Sequence, residues 1–277
     1  MKKLLALVMS VALIFSFAAC GSNQSASSGS ADVENTPVAE MTSLTVGFDA
    51  EYPPYGFKDE KTGEYTGFDL ELAQEVCERR GWELVKQPIN WDSKDVELNS
   101  GTIDCIWNGM TYTGREKDYT WSDPYVDNSI MMVVAADSEI KTLDDLAGKV
   151  VTTQSDSSAY TALTEGEATD LAGTFANLEQ VGDYNSAFMN LTSGAVDAIA
   201  VDIGVAQYQL RNNPEGFRML DEPISKEQYA IAFKLGNKQL RDAVQETLNE
   251  MVKDGTFMEI ANHYADDSLP DMVCLGK

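Results

Sequence analysis

From residue 44 onward, runs that alternate apolar and polar positions trade places with segments of helical period. LTVGFD (44–49) alternates and then meets Tyr52-Pro53-Pro54, so it predicts a strand that proline, having no donor for the ladder, closes off. GFDLELAQEVCERRG (67–81) has apolar positions 72, 73, 76 and 77, Asp69 as N-cap and Gly81 as stop, which predicts a helix. WELVKQPI (82–89) predicts a strand, 93–100 a polar helix and 103–107 a further strand. Strand and helix patterns then alternate through TLDDLAG (142–148), VVTT (150–153), SSAYTALTEG (157–166), NSAFMNLTSG (185–194) and DAIAVD (197–202), followed by a helix at 203–211. Such alternation predicts α/β layers with mainly parallel sheets.

One stretch is echoed. Residues 100–106 read SGTIDCI and residues 193–199 read SGAVDAI, each following a helical pattern and ending a strand. Nine positions on from the serine stand Gly109 in the first copy and Asp202 in the second. Two copies of one α/β unit predict two lobes of similar build. In open α/β sheets ligands sit beyond the carboxyl ends of the strands. The loops after 44–49, 103–107, 150–153 and 197–202 are therefore the places for a site. They hold Asp49, Tyr52, Asn108 to Arg115, Gln154 to Ser158, and Asp202.

The first residues belong to no fold. Lys2 and Lys3 precede an apolar run, Leu4 to Ala19, that ends in small residues and then Cys20. This is a secretory signal (1–19), too short and wrongly flanked for a membrane span. F-A-A-C resembles the lipobox of bacterial lipoproteins, with Phe17 where that pattern usually has leucine, and implies a mature chain beginning at an acylated (palmitate-bearing) Cys20. Residues 20–43, rich in Ser, Gly, Asn and Ala, then read as a flexible tether.

Charge and missing motifs exclude more than they assign. The chain carries 20 basic against 45 acidic residues, which argues against nucleic acid and anionic lipid as partners. Only six of the basic residues are arginines, and one, Arg115, stands in WNGMTYTGRE (107–116) behind hydroxyls and glycines. Cys77, Cys105 and Cys274 include no C-x-x-C, and the single histidine, His263, sits in a helical pattern, so neither a metal site nor a cofactor is expected. Nucleophile-elbow, zinc-protease, P-loop and dinucleotide motifs are absent from the sequence.

FDAEYPPYGF (48–57), GEYTGFDLELAQEV (63–76), NSGTIDCIWNGMTYTGRE (99–116), WSDPYVDNS (121–129), IKTLDDLAGKVV (140–151), SGAVDAIAVD (193–202) and VKDGTFMEIANHY (252–264), in that order, resemble the bacterial extracellular solute-binding proteins of family 3, the polar amino-acid receptors of ABC importers. The resemblance implies a two-lobed periplasmic-binding-protein-like fold of type II, with two mixed, mainly parallel sheets joined by two hinge strands. It implies lobe 1 over 44–125, a first hinge at 126–129, lobe 2 over 130–224, a second hinge at 225–229, and a return to lobe 1 over 230–277, where Leu240, Val244, Leu248, Val252 and Ile260 mark the helices that complete it.

The resemblance also implies roles that suit a zwitterion. A carboxylate wants a planar charged fork, here Arg115, and an ammonium wants a carboxylate, here Asp202. Gly109 through its backbone and Thr111 add hydrogen bonds. Ser157 and Ser158 match a Gly-Thr-Thr loop whose amides open a helix. Tyr52 and Trp91 clamp the ligand side chain, and Asp49 reads its polar end. Plainer roles stand beside these: a surface ion pair of Arg115 with Glu116 or Asp118, an N-cap for Asp202, core packing for Tyr52 and Trp91, and a solvated Asp49. Arg115 comes one residue earlier than the family pattern, and Asp156 replaces its glycine; with Asp49, that charge tilts the expected ligand toward a polar or cationic side chain. The implied partners are a free amino acid and an ABC permease, with the protein a lipid-anchored monomer on the outer face of the cell membrane. No catalytic residue is assigned. Rival readings are a prephenate or arogenate dehydratase using Asp49 or Asp156, and a sensory module, which would be fused to a membrane span and signalling domain.

Overall fold

The computed structural model describes residues 37–277; the signal, Cys20 and the tether up to residue 36 lie outside the described residues. Strand β1 (Ser43–Phe48) leads to a three-stranded hairpin sheet, β2 (Glu51–Tyr52), β3 (Gly56–Lys58) and β4 (Tyr65–Thr66). Helix α1 (Phe68–Arg80) follows, then β5 (Glu83–Pro88), α2 (Lys94–Ser100), β6 (Cys105–Ile106) and β7 (Thr120–Trp121). Asp69 is not the N-cap of α1. That place belongs to Gly67, at φ 130°, where a Cβ would strike the Tyr55 carbonyl. Asp69 lies inside the first turn, buried, and its carboxylate is used elsewhere.

The ten-residue strand β8 (Val126–Ala135) carries the chain into the second lobe. There β9 (Val150–Gln154), α3 (Ser158–Thr164), α4 (Thr169–Ala172), β10 (Asn177–Val181), α5 (Tyr184–Ser193), β11 (Ala198–Asp202), α6 (Ile203–Asn212) and β12 (Phe217–Met219) follow. The chain returns along β13 (Ser225–Tyr229), antiparallel to the start of β8, to β14 (Ala232–Phe233) and helices α7 (Lys238–Asp254), α8 (Thr256–Asn262) and α9 (Leu269–Met272).

The two sheets run β5-β1-β6-β14-β7 and β10-β9-β11-β8-β12. Parallel pairing is confined to the βα units, β5-β1-β6 in one lobe and β10-β9-β11 in the other; the strands that cross between lobes pair antiparallel. The hairpin strands, β10 and β12 have no counterpart in the apolar pattern. β10 (NLEQV) is a half-exposed edge strand, and without a buried face it lacks the alternation that marks a strand.

The echo is a structural repeat. Gly101 and Gly194 both end a helix in the left-handed region, at φ 80° and 74°. Asp104 then accepts from Thr45 N at 2.7 Å and returns its own amide to Thr45 O at 2.8 Å. Asp197 does the same with Val150, at 2.8 Å and 2.8 Å. In each lobe this clamp joins the second parallel strand to the first and fixes where the following loop emerges.

One apolar cluster fills lobe 1, from Leu44, Val46 and Phe68 to the buried stripe Leu240, Val244, Leu248 and Met251 of α7. It continues through Tyr52, Tyr55, Tyr184 and Tyr229 to Phe188 and Val201 of lobe 2. A second cluster, with Ile130, Met132, Val134, Leu146 and Leu163, covers the other face of that lobe's sheet.

Candidate functional site

The carboxyl ends of β1, β6, β9 and β11 face one another across the two lobes. Sheet register builds the centre of this seam. Asn128 on β8 stands opposite Glu227 on β13, and Ile130, two residues on and so on the same face, stands opposite Asp202 on β11. Asn128 therefore has a carboxylate neighbour on either side. Its Nδ2 donates to Glu227 Oε1 at 2.8 Å and to Asp202 Oδ1 at 2.7 Å.

Asp202 also accepts from the Tyr229 hydroxyl at 2.5 Å and from Tyr184 at 3.4 Å. It stands at the N-cap position of α6, yet its side chain makes no capping bond. Glu227 Oε1 accepts from Thr111 Oγ1 at 2.8 Å and Ser158 Oγ at 3.1 Å, one from each lobe. No lysine or arginine lies within 4.0 Å of Asp202 or Glu227 among the described residues. Burial raises the pKa of both, and the Asp202 charge raises that of Glu227 further.

The other expected residues take distinct places. Asp49 is buried; it accepts from Glu51 N at 2.8 Å and, across the lobes, from Gln154 Nε2 at 2.6 Å, and burial pushes it up to about 6. Tyr52 is packed against Tyr55 and Tyr184, with its hydroxyl 3.0 Å from that of Tyr229. Gly109, at φ 54°, gives its amide to Asp69 Oδ2 at 2.7 Å, which leaves its carbonyl for other use; a Cβ there would lie 2.8 Å from the Tyr52 ring. Ser157 caps α3, accepting from Tyr160 N at 3.1 Å. Trp91 is buried among Leu98, Ile103 and Met110, with Lys94 Nζ 5.2 Å from its ring centre. Thr111 and Ser158 both face Glu227.

Arg115 is half-buried and lies away from Asp202, in a depression of about 520 Å³ that it lines with Lys94, Leu98, Tyr119, Asp156 and Thr161. Among the described residues no carboxylate comes within 4.0 Å of its guanidinium; its Nη1 lies 3.6 Å from the Met110 sulfur. The ion pairs with Glu116 or Asp118 do not form. Beside it, Lys94, only 2% exposed, pairs across the lobes with Asp156. Burial lowers the Lys94 pKa, and Asp156 offsets part of that shift. Asp156 has φ 56°, a left-handed backbone that favours glycine. The substitution of the expected glycine thus strains the loop and supplies a bridge between lobes.

Sequence reading missed four residues: Glu227, Asn128, Lys94 and Asp69. Asp69 accepts from Gly109 N and from Tyr125 at 2.8 Å, and burial pushes it up to about 7. Its isolated acid between Phe68 and Leu70 was the one available signal. The other three owe their places to strand register and lobe contact.

A model of the bacterial extracellular solute-binding proteins, family 3, matches residues 44–267. The L-cystine-binding protein TcyJ of Escherichia coli (strain K12) is 31% identical over 82% of this chain and 84% of its own. A substrate-binding protein of an ABC uptake transporter from Streptococcus pneumoniae, solved with bound histidine, aligns with TM-score 0.77 at 32% identity, covering 80% of this chain and 92% of that one. An ancestral arginine-binding protein bound to arginine aligns with TM-score 0.74 at 35% identity, covering 80% and 98%.

Proposed function

The chain belongs to the bacterial extracellular solute-binding proteins, family 3, and from that premise we propose that it captures a free amino acid between its lobes and hands it to an ABC permease. One observation carries the reading: loops at the strand ends of two lobes meet at a buried carboxylate, Asp202, that has hydroxyl and amide donors but, among the described residues, no cation within 4.0 Å. An ammonium supplies the missing charge. Arg115, with no carboxylate within 4.0 Å among the described residues and next to the lobe boundary, is suited to the other end of a zwitterion. The relatives named above are described as binding cystine, histidine and arginine, and the acidic seam favours a polar or cationic side chain.

Capture proceeds by closure. The ligand has its full contacts only when the lobes meet, so it shifts an open–closed equilibrium about β8 and β13. No covalent step is required, and the named relatives are binding proteins. The protein works as a monomer held at the outer membrane face by acyl chains on Cys20, a reading that rests on the sequence around that residue.

Calorimetry with amino acids on wild type, Arg115→Ala and Asp202→Ala tests the site. Wild type binds one or more amino acids, and each variant weakens binding at least tenfold. Absence of binding by wild type sinks the receptor reading, and wild-type affinity in both variants sinks the residue assignment. Cys20→Ser moves the protein from the membrane fraction to the medium if the anchor is correct.

A further inference from the structure

We infer that Glu227, joined to Asp202 through Asn128, forms with it a receptor for a cationic nitrogen of the ligand, and that Glu227 determines specificity for positive charge. The inference rests on the receptor reading above.

The first observation is register. Glu227 and Asn128 are cross-strand partners on β13 and β8, and Asn128 bridges Glu227 to Asp202 through one Nδ2 atom. In this orientation Nδ2 donates to both acids; turned over, the amide oxygen would find a donor only on a protonated acid. The second observation is independent of the acids. Asn128 is 4% exposed, and its Oδ1 has no hydrogen-bond partner among the described residues. A buried carbonyl without a donor is destabilising, so such a group marks a place that expects one. Two buried carboxylates joined through one amide nitrogen, with an unpartnered carbonyl on the same side chain, suit an ammonium or guanidinium with several N–H bonds.

Glu227 also changes what can sit beside it. The hydroxyls of Thr111 and Ser158, suited to a ligand carboxylate, both donate to Glu227 Oε1. A ligand carboxylate at those hydroxyls would meet Glu227 at close range, and like charges there repel. The remaining titratable groups around the acids include the hydroxyls of Tyr52, Tyr55, Tyr184 and Tyr229, which burial holds neutral. Among the described residues no lysine or arginine lies within 4.0 Å of either acid, so a proton held between them offsets the charge until a cation arrives. Binding then transfers that proton from the carboxyl to the buffer.

The test is calorimetry of arginine and glutamine on wild type and Glu227→Gln, near pH 6.5, in buffers of different ionisation enthalpy. Wild type should release protons on binding. Glu227→Gln should bind at least tenfold more weakly and release less, while its ligand-free melting temperature holds or rises because a buried acid is gone. N-acetylarginine and citrulline separate the two nitrogens, since the first lacks the α-ammonium and the second the guanidinium. Affinity within twofold of wild type, or a loss of affinity with proton release unchanged, overturns the inference. Binding of neither amino acid by wild type overturns the receptor reading itself, and this inference with it.

Discussion

Asp156→Gly separates backbone strain from lobe contact. Asp156 holds φ 56°, and an L-residue in that region costs on the order of 1 kcal/mol that glycine does not incur. This strain is local to the loop and is relieved whether the lobes are together or apart. The ion pair with Lys94 exists only when they are together. Lys94 is 2% exposed and Asp156 52%, so the pair falls between buried and surface cases and contributes about 1–2 kcal/mol. Loss of that amount from the closed form weakens binding about tenfold. The variant should therefore bind amino acid about tenfold more weakly while its ligand-free melting temperature stays level or rises by about 2–4 °C. Asp156→Asn, which tolerates the left-handed backbone, should weaken binding alike without gaining stability. Calorimetry and thermal denaturation read both. A lower ligand-free melting temperature with unchanged affinity would refute the reasoning, since the pair would then hold the fold together rather than the closed state.

Asp69 carries a folded pKa of about 7 against an ordinary 3.8, so the folded chain holds its proton longer than the unfolded chain. Its stabilising contribution is present below about pH 4 and is lost as pH rises toward 7; Asp69→Asn should flatten that part of the melting curve against pH. Gly101→Ala and Gly194→Ala, both left-handed with open space at the Cβ position, should each cost about 1 kcal/mol, and clearly unequal costs in urea denaturation would argue against the repeat. Gly109→Ala puts a Cβ 2.8 Å from the Tyr52 ring and should abolish binding in calorimetry while the lobes still fold by circular dichroism. Gln154→Ala removes the 2.6 Å donor to Asp49 across the lobes and should weaken binding by about 1–2 kcal/mol, measured by the same titration.

The sequence by itself determined the elements whose signals are local. Helix stops at Gly81, Gly101 and Gly194 were legible because a left-handed residue ends a helix wherever it sits. The repeat was legible because two lobes solve one problem, bringing a second parallel strand back to the first, with the same aspartate clamp. Strand ends pointed to the loops that hold Asp49, Thr111, Ser158 and Asp202, since a parallel sheet delivers its loops to one edge. The tertiary structure alone decided which of these loops touch. Asn128 meets Asp202 across 74 positions of sequence and Glu227 across 99, and Lys94 meets Asp156 across 62. Such pairs depend on antiparallel register between two crossing strands and on the approach of two lobes, neither of which leaves a periodic trace in the chain. That is why Arg115 could be singled out from its neighbours in sequence, as a candidate only, while the buried lysine beside it and the second acid beside Asp202 could not.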